Sequence, residues 1–375
     1  MIKIVKFAMI ENSQTHLILG LHSHMSEEAH VILPSPLEQL QKLPPSMPNL
    51  EFIEASRFQI KQILDGHDPR MLLIVGPCSV HDITAIREYA IKLKHLQQTL
   101  SDTFFIVMRV HFEKPRTGFG WKGFMHDPWL DGSEDIHAGI HLTRQLLLEL
   151  TSLEIPIATE FMTPVCSYFF KDLISWGCIG ARTSASSIHR QLASNLPMPI
   201  AFKNSLDGNI EIAAYGAAVA AQPQNVIGIN GSGVSALVKA KGNLYSHIVL
   251  RGGTTQSNYD PESIQNALGF LEKTGQPARI IVDCSHGNSK RIFKKQIDVF
   301  QSVIQQFVEG NSRIRGVILE SHLFDGCQDL CSDISKLSYG VSITDPCLGW
   351  NLTEQLLMWG QSQLSGIFQE NLAAH

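Results

Sequence analysis

The sequence predicts an α/β fold, a (β/α)8 TIM barrel with an N-terminal extension and a hairpin inserted before strand six. Three observations carry that expectation. Short apolar runs rich in Val and Ile recur from Met71 onward, each followed by a stretch with helical spacing. The runs are hydrophobic almost throughout, as suits parallel strands covered on both faces. No Gly-x-Gly-x-x-Gly follows the first run, which argues against a dinucleotide-binding open sheet.

Residues 1–49 read as an extension or arm without regular structure, and 50–375 as a single barrel domain. The Leu43–Pro48 stretch is a stiff lead-in. Residues 50–65 have helical spacing, with Gly66 as a stop. The strand runs are 72–76, 104–110, 156–161, 178–182, 199–203, 247–252, 279–284 and 315–320. After Asp82, the residues Ile83, Ile86, Tyr89, Ala90 and Leu93 share a helical face. Thr163-Pro164 and Asp260-Pro261 open further helices by placing a capping residue before proline. Other helices are expected near 137–153, 184–195, 209–221, 289–308 and 352–369. Residues 222–246 interrupt the rhythm, and Val226–Ile229 can pair there with Ala236–Val238 as a hairpin. The first 24 residues are an added arm, or Met25 is the initiator.

Composition excludes several function classes. The 375 residues are 44% hydrophobic and 17% charged, enough for a large packed core and unlike a disordered chain. A net charge of -5 and the lack of a basic stripe argue against nucleic acid. An anionic ligand therefore needs a local cluster of cations. The cysteine count is odd, at seven, and suggests reduced thiols and a cytoplasmic protein. Cys327 and Cys331 have no matching second pair, so they read as surface thiols rather than a zinc ribbon. No apolar run is long enough for a bilayer, and no secretory signal is recognisable, so no membrane partner is expected.

The chemistry lies where the strands end, as a barrel requires. The runs lead into Cys78, Arg109, Glu160, Arg182, Lys203, Arg251, Asp283 with His286, and Glu320, with Lys114, Arg116 and Asp345 in the loops beyond. A single charge at a strand end is usually solvated or salt-bridged. A ring of them is a site, and Arg and Lys together suit a ligand with several anionic groups. Cys78, His286, Glu320 and Asp345 form a metal set. Thiolate, imidazole and carboxylates suit one divalent ion such as Mn, Fe, Co or Zn, and not Mg.

These motifs resemble one family. Gly76–Asp82, Met108-Arg109-Val110, Glu113–Thr117, Gly120–Gly123, Gly180–Thr183, Phe202-Lys203-Asn204, Leu250–Gly253, Asp283–His286, Glu320–Leu323 and Ser342–Asp345 are similar to the class I 3-deoxy-D-arabino-heptulosonate-7-phosphate (DAHP) synthases, over about residues 36–370 in one collinear order. The resemblance implies condensation of phosphoenolpyruvate with D-erythrose 4-phosphate and water, the first step of the shikimate pathway to the aromatic amino acids. It implies that Cys78, His286, Glu320 and Asp345 bind the metal. Arg109, Lys114, Arg182, Lys203 and Arg251 would hold phosphoenolpyruvate, with Glu160 ordering a water. Arg116 and Thr117 would grip the erythrose 4-phosphate phosphate, with Lys114, Pro115 and Asp345 near its other end. Lys114, Glu160 and Asp345 would be the catalytic groups, with Glu160 and Asp345 both candidates for activating water. A homodimer or homotetramer is also implied. The related 3-deoxy-D-manno-octulosonate-8-phosphate synthases are the alternative, but they carry Lys-Ala-Asn-Arg-Ser where this chain has Lys114-Pro115-Arg116-Thr117. An inactive ligand-binding regulator is another alternative, and it would have lost a metal ligand or a phosphate clamp. A Schiff-base aldolase using Lys203 would not need the metal set.

Two departures bear on regulation. Only Met162 separates Glu160-Phe161 from Thr163-Pro164, where feedback-inhibited members have a longer segment, and Pro197 replaces a small polar residue. Both fall near the family's inhibitor pocket, and weak or altered feedback is expected. Activity assays at saturating Phe, Tyr and Trp should show no strong inhibition; strong inhibition by any one of them defeats the expectation.

Overall fold

The structure is a computed structural model and describes residues 31–116, 118–331 and 333–373. It divides into two compact units, 1–34 and 35–375. In the first, the described residues 31–34 form no helix or strand. The second begins with α1 (Pro36–Lys42) and α2 (Met47–Asp65). The first helix corrects the reading of 1–49 as irregular. Ser35 Oγ accepts from the Glu38 amide at 3.2 Å, Glu38 returns a bond to the Ser35 amide at 2.7 Å, and Pro36 opens the helix. That reciprocal cap satisfies two amide donors at the start of a short helix. Gly66 ends α2 in the left-handed conformation, as its position suggested.

The barrel strands are β1 (Met71–Gly76), β2 (Phe104–Arg109), β3 (Ile157–Glu160), β4 (Trp176–Ile179) and β5 (Ile200–Lys203), followed by β8 (His247–Leu250), β9 (Ile280–Asp283) and β10 (Ile314–Glu320). They close in the order β1-β10-β9-β8-β5-β4-β3-β2, with every pairing parallel. β6 (Gln224–Ile229) and β7 (Ser235–Ala240) form the expected antiparallel hairpin outside the barrel, with Val226 opposite Val238.

The covering helices are α3 (Ile83–Leu100), α4 (Ile136–Ser152), α5 (Ser167–Phe170), α6 (Ser187–Ser194), α7 (Glu211–Ala220), α8 (Pro261–Lys273), α9 (Lys295–Val308) and α10 (Trp350–Ala373). Asp82 and Asp260 cap α3 and α8. Three expectations need correction. The helix after Thr163-Pro164 is a single turn, α5, because β4 starts at Trp176 rather than 178. Arg182 therefore lies in the turn beyond β4, not on the strand. The helix placed at 289–308 begins only at Lys295, because Lys290 and Arg291 take positive φ of 53° and 57°. Among the described residues, no helix is long and apolar enough to cross a membrane.

Two apolar layers follow from strand alternation. Met71, Leu73 and Val75 pack outward with the helices. Leu72, Ile74, Val107, Ala158, Cys178, Ala201, Val249, Ile281 and Ile318 point inward. Ile60, Ile63 and Leu64 of α2 join that inner cluster and close the bottom of the barrel. Trp176 also points inward, and its indole N–H donates to His247 Nε2 at 3.0 Å, while His247 Nδ1 donates to the Tyr245 carbonyl at 2.8 Å. Both ring nitrogens are thus committed in the neutral form. Burial pushes this imidazole down to about 3.

The sign of the linkage follows. Below pH 6.5 the unfolded chain takes up a proton at His247 that the native ring refuses, so stability falls with pH from there toward about 3. Chemical unfolding should show a loss between pH 7 and pH 5, and His247→Gln should remove about 2 kcal/mol of that loss. An unchanged pH dependence in the variant contradicts this account.

Candidate active site

The inward alternation continues one step above the apolar tier. Val107 is followed by Arg109, Ala158 by Glu160, Ala201 by Lys203, Val249 by Arg251, Ile281 by Asp283 and Ile318 by Glu320. The same parity that fills the core therefore aims six charged side chains into the barrel mouth. All six are buried. Buried charges must be paired. Arg109 contacts Glu320 at 2.9 Å and Lys203 contacts Asp283 at 3.2 Å. Burial alone would lower the Arg109 guanidinium, but Glu320 and Cys78 outweigh it and hold it above its ordinary range. Lys203 is likewise held up, against burial, by Asp283. Asp283 stays well below the usual carboxylate range, because His286 and Lys203 overcome the opposing effect of burial.

The remaining two inward positions are glycines. A Cβ on Gly76 would lie 2.5 Å from the Arg109 carbonyl, and one on Gly180 would lie 2.0 Å from Glu160 Oε1. Their bareness lets neighbouring backbone and carboxylate occupy the mouth.

Beside Gly76, Cys78, Glu320 and Asp345 place Sγ and carboxylate oxygens within 4.8 Å of one another. His286 Nε2 stands 3.6 Å from Glu320 Oε1 and 4.0 Å from Asp345 Oδ2. The four predicted metal residues thus meet from β1, β9, β10 and the loop before α10. Glu320 Oε1 is buried and near Arg109, yet no donor reaches it with hydrogen-bond geometry. A soft thiolate, an imidazole and two carboxylates fit a borderline divalent ion. Burial and the Glu320 charge push the Cys78 thiol up, with Lys114 opposing. The His286 ring is anchored from behind. Ser285 Oγ lies 2.7 Å and Asp283 Oδ2 3.0 Å from its Nδ1.

Lys114 reaches down to this set, donating to the Cys78 carbonyl at 3.0 Å and to Sγ at 3.1 Å. The segment Lys114-Pro115-Arg116 rims the cleft, with Arg116 Nε bonded to the Trp121 carbonyl at 2.8 Å. Thr117 lies outside the described residues. One cleft of about 160 Å³ is lined by Arg109, Lys114, Arg116, Glu160, Arg182, Lys203, Arg251, His286 and Asp345, among others. Cations outnumber acids there, which makes it a site for anions.

The sequence pattern of the DAHP synthetase I family matches residues 48–358. This chain belongs to that family. Among its relatives, the Tyr-sensitive phospho-2-dehydro-3-deoxyheptonate aldolase of Escherichia coli (strain K12) is 41% identical over 343 residues, covering 92% of this chain and 96% of that protein. The Phe-sensitive enzyme of the same strain is 43% identical over 331 residues, covering 88% and 94%. The solved structure of the aldolase from Francisella tularensis SCHU S4 superposes with a TM-score of 0.88 at 38% identity, covering 91% of this chain and 99% of that one.

This family member also contains site residues that the sequence reading missed. His111 is buried in the mouth, with Nδ1 4.0 Å from Glu160 Oε2. Burial and the surrounding Arg109, Lys203 and Lys114 charges keep its ring neutral, well below the ordinary histidine range. Its signal was available, since 111 continues the parity of 107 and 109. Arg291 also lines the cleft. It was hidden because its turn reads as helix.

Gly180→Ala tests the packing that sets Glu160. The added methyl should displace the carboxylate and lower kcat/KM by about a hundredfold, with the far-UV spectrum retained. Wild-type kinetics in the variant would show that the Glu160 position is immaterial.

Proposed function

We infer that this chain is a DAHP synthase, EC 2.5.1.54. It joins phosphoenolpyruvate, D-erythrose 4-phosphate and water to give 3-deoxy-D-arabino-heptulosonate 7-phosphate and inorganic phosphate. The observation that carries this reading is one cleft in which buried cations and a Cys-His-Glu-Asp set meet, in a chain of the DAHP synthetase I family.

The residue roles are those that the family resemblance implies, and the charge and placement of the described residues support them. Arg109, Arg182, Lys203 and Arg251 hold the phosphate and carboxylate of phosphoenolpyruvate. Their fixed charges offset the repulsion between two anionic substrates and orient the enol carbon, a positioning role. Arg116, with Thr117, holds the phosphate of the aldose, and Pro115 shapes the wall beside it. Cys78, His286, Glu320 and Asp345 hold one divalent ion of the Mn, Fe, Co or Zn type. Such an ion supplies Lewis-acid polarisation of the aldehyde oxygen.

Lys114, beside the same set, stabilises and protonates the alkoxide that develops as the enol carbon attacks. Attack leaves positive character on C2 of phosphoenolpyruvate. Water adds there, and the hemiketal phosphate expels inorganic phosphate with cleavage of its C–O bond. Glu160 orients that water. The position of the Asp345 carboxylate, within 4.8 Å of the Cys78 and Glu320 ligand atoms, suits metal binding and supports Glu160 for the water. The neutral His111 behind Glu160 adds no competing positive charge.

Phosphate release from phosphoenolpyruvate should require erythrose 4-phosphate, fail with arabinose 5-phosphate, stop with EDTA and return with Mn2+. Cys78→Ala should lose bound metal by elemental analysis and at least about a hundredfold in rate. Turnover that survives chelation, or selective turnover of the pentose, overturns the reading.

A further inference from the structure

The catalytic cleft does not end at Arg251. A second recess of about 360 Å³ adjoins it and shares Leu206, Arg251, His286 and Arg291 with it. Lys290, Thr254 and Thr255 line this recess and not the cleft. Among the described residues, no acidic side chain lines it. Three cations, two hydroxyls and no carboxylate make a chemistry for a phosphoryl dianion.

The recess is built, not a chance gap between loops. Its walls are the loops after β8 and β9, pressed backbone against backbone. A Cβ on Gly252 would lie 2.4 Å from the Asn288 amide nitrogen, and one on Gly287 would lie 2.5 Å from the Gly253 carbonyl. The Gly287 amide donates to the Arg251 carbonyl at 3.0 Å. Buried Asn204, Asn258 and Asn288 lock the pair. Asn204 accepts from the Arg251 amide at 2.8 Å, Asn258 from the Gly252 amide at 2.6 Å, and Asn288 from the Asn258 amide at 2.8 Å.

The cations are placed by unusual backbone. His286, Lys290 and Arg291 all have positive φ, of 54°, 53° and 57°. The Arg291 amide closes the turn on the His286 carbonyl at 2.8 Å. Side chains pay for such conformations, and they persist where surrounding structure imposes them, often at functional sites. Here the turn sets Lys290 and Arg291 on the rim instead of starting α9. Burial lowers the Arg251 guanidinium, and the nearby Arg291 and Arg182 charges add to that against Asp283. An anion between Arg251 and Arg291 relieves that repulsion.

We propose that this recess is a second phosphoryl-binding site, formed by Lys290, Arg291, Arg251, Thr254 and Thr255, and that it receives the inorganic phosphate released in the reaction. The proposal rests on the reading of Arg182 and Arg251 as phosphoenolpyruvate residues. Arg251, common to both spaces, is then the handover point. The leaving phosphate passes outward to Lys290 and the threonines while the organic product remains in the cleft.

The test is equilibrium dialysis of radiolabelled orthophosphate against the metal-replete full chain, with and without saturating phosphoenolpyruvate and without erythrose 4-phosphate. The wild type should still bind phosphate when phosphoenolpyruvate fills the cleft. Lys290→Asn, which tolerates positive φ, should weaken that binding about tenfold, and Lys290→Arg should restore it. Phosphoenolpyruvate affinity, measured in the same cells, shows whether the variant is intact.

Complete displacement of phosphate by phosphoenolpyruvate, or Lys290→Asn binding phosphate as the wild type does, overturns the second site. Displacement by sn-glycerol 3-phosphate of the phosphate that Lys290→Asn loses, with the cleft still filled, would assign the recess to a sugar phosphate and overturn its role in product departure. Absence of phosphoenolpyruvate binding to the wild type would instead overturn the functional reading, whatever phosphate does.

Discussion

Burial of charge at the barrel mouth is the constraint on which the rest of the site depends. Alternation forces the residue two positions beyond each inward apolar side chain onto the same face. In this chain that residue is charged on six strands, and the six are buried together. An isolated buried charge would be prohibitively costly. The tier is tolerable because cations and anions pair within it, with Arg109 against Glu320 and Lys203 against Asp283. The surplus of positive charge in the cleft awaits anionic ligands. The charges are partly paired yet incompletely neutralised, which suits a binding site for two phosphorylated molecules.

The tier is held rigidly from two sides. Below it, α2 and the Trp176–His247 pair fill the barrel, so the charged side chains cannot sink. Around it, glycines remove side chains where space is needed. Gly76 admits the backbone of Arg109, and Gly180 admits the Glu160 carboxylate. Electrostatic stabilisation depends on such fixed placement, because groups already in position need no reorganisation as charge develops. The metal set shows the same economy. Asp283 pairs with Lys203 and contacts His286 at once, linking the cationic side of the mouth to the candidate metal side.

The candidate site was largely legible because strands announce their ends. A charged residue terminating a Val- and Ile-rich run has few purely structural explanations, and Arg109, Glu160, Lys203, Arg251 and Glu320 stood out for that reason. His111 could have been found by counting one more step of alternation. The turn at 287–291 could not. Its Ser-Lys-Arg sequence continues smoothly into the amphipathic stretch of α9, whereas Lys290 and Arg291 stand at positive φ in a turn whose Gly287 and Asn288 pack on the loop after β8. The helix at Pro36 was overlooked for the opposite reason, since a local capping box was present but short.

The sequence by itself determined the periodicities: eight buried strands, their covering helices, the extra hairpin and the residue types at each strand end. These are local properties of spacing and polarity, and they survive without knowledge of neighbours. Tertiary structure decided which distant residues meet. That Cys78, His286, Glu320 and Asp345 converge, that Arg109 pairs with Glu320, and that a second recess opens beyond Arg251 all depend on barrel closure. Closure fixes the stagger of neighbouring strands through their hydrogen-bond register, and that register is a property of the pairing rather than of any one strand.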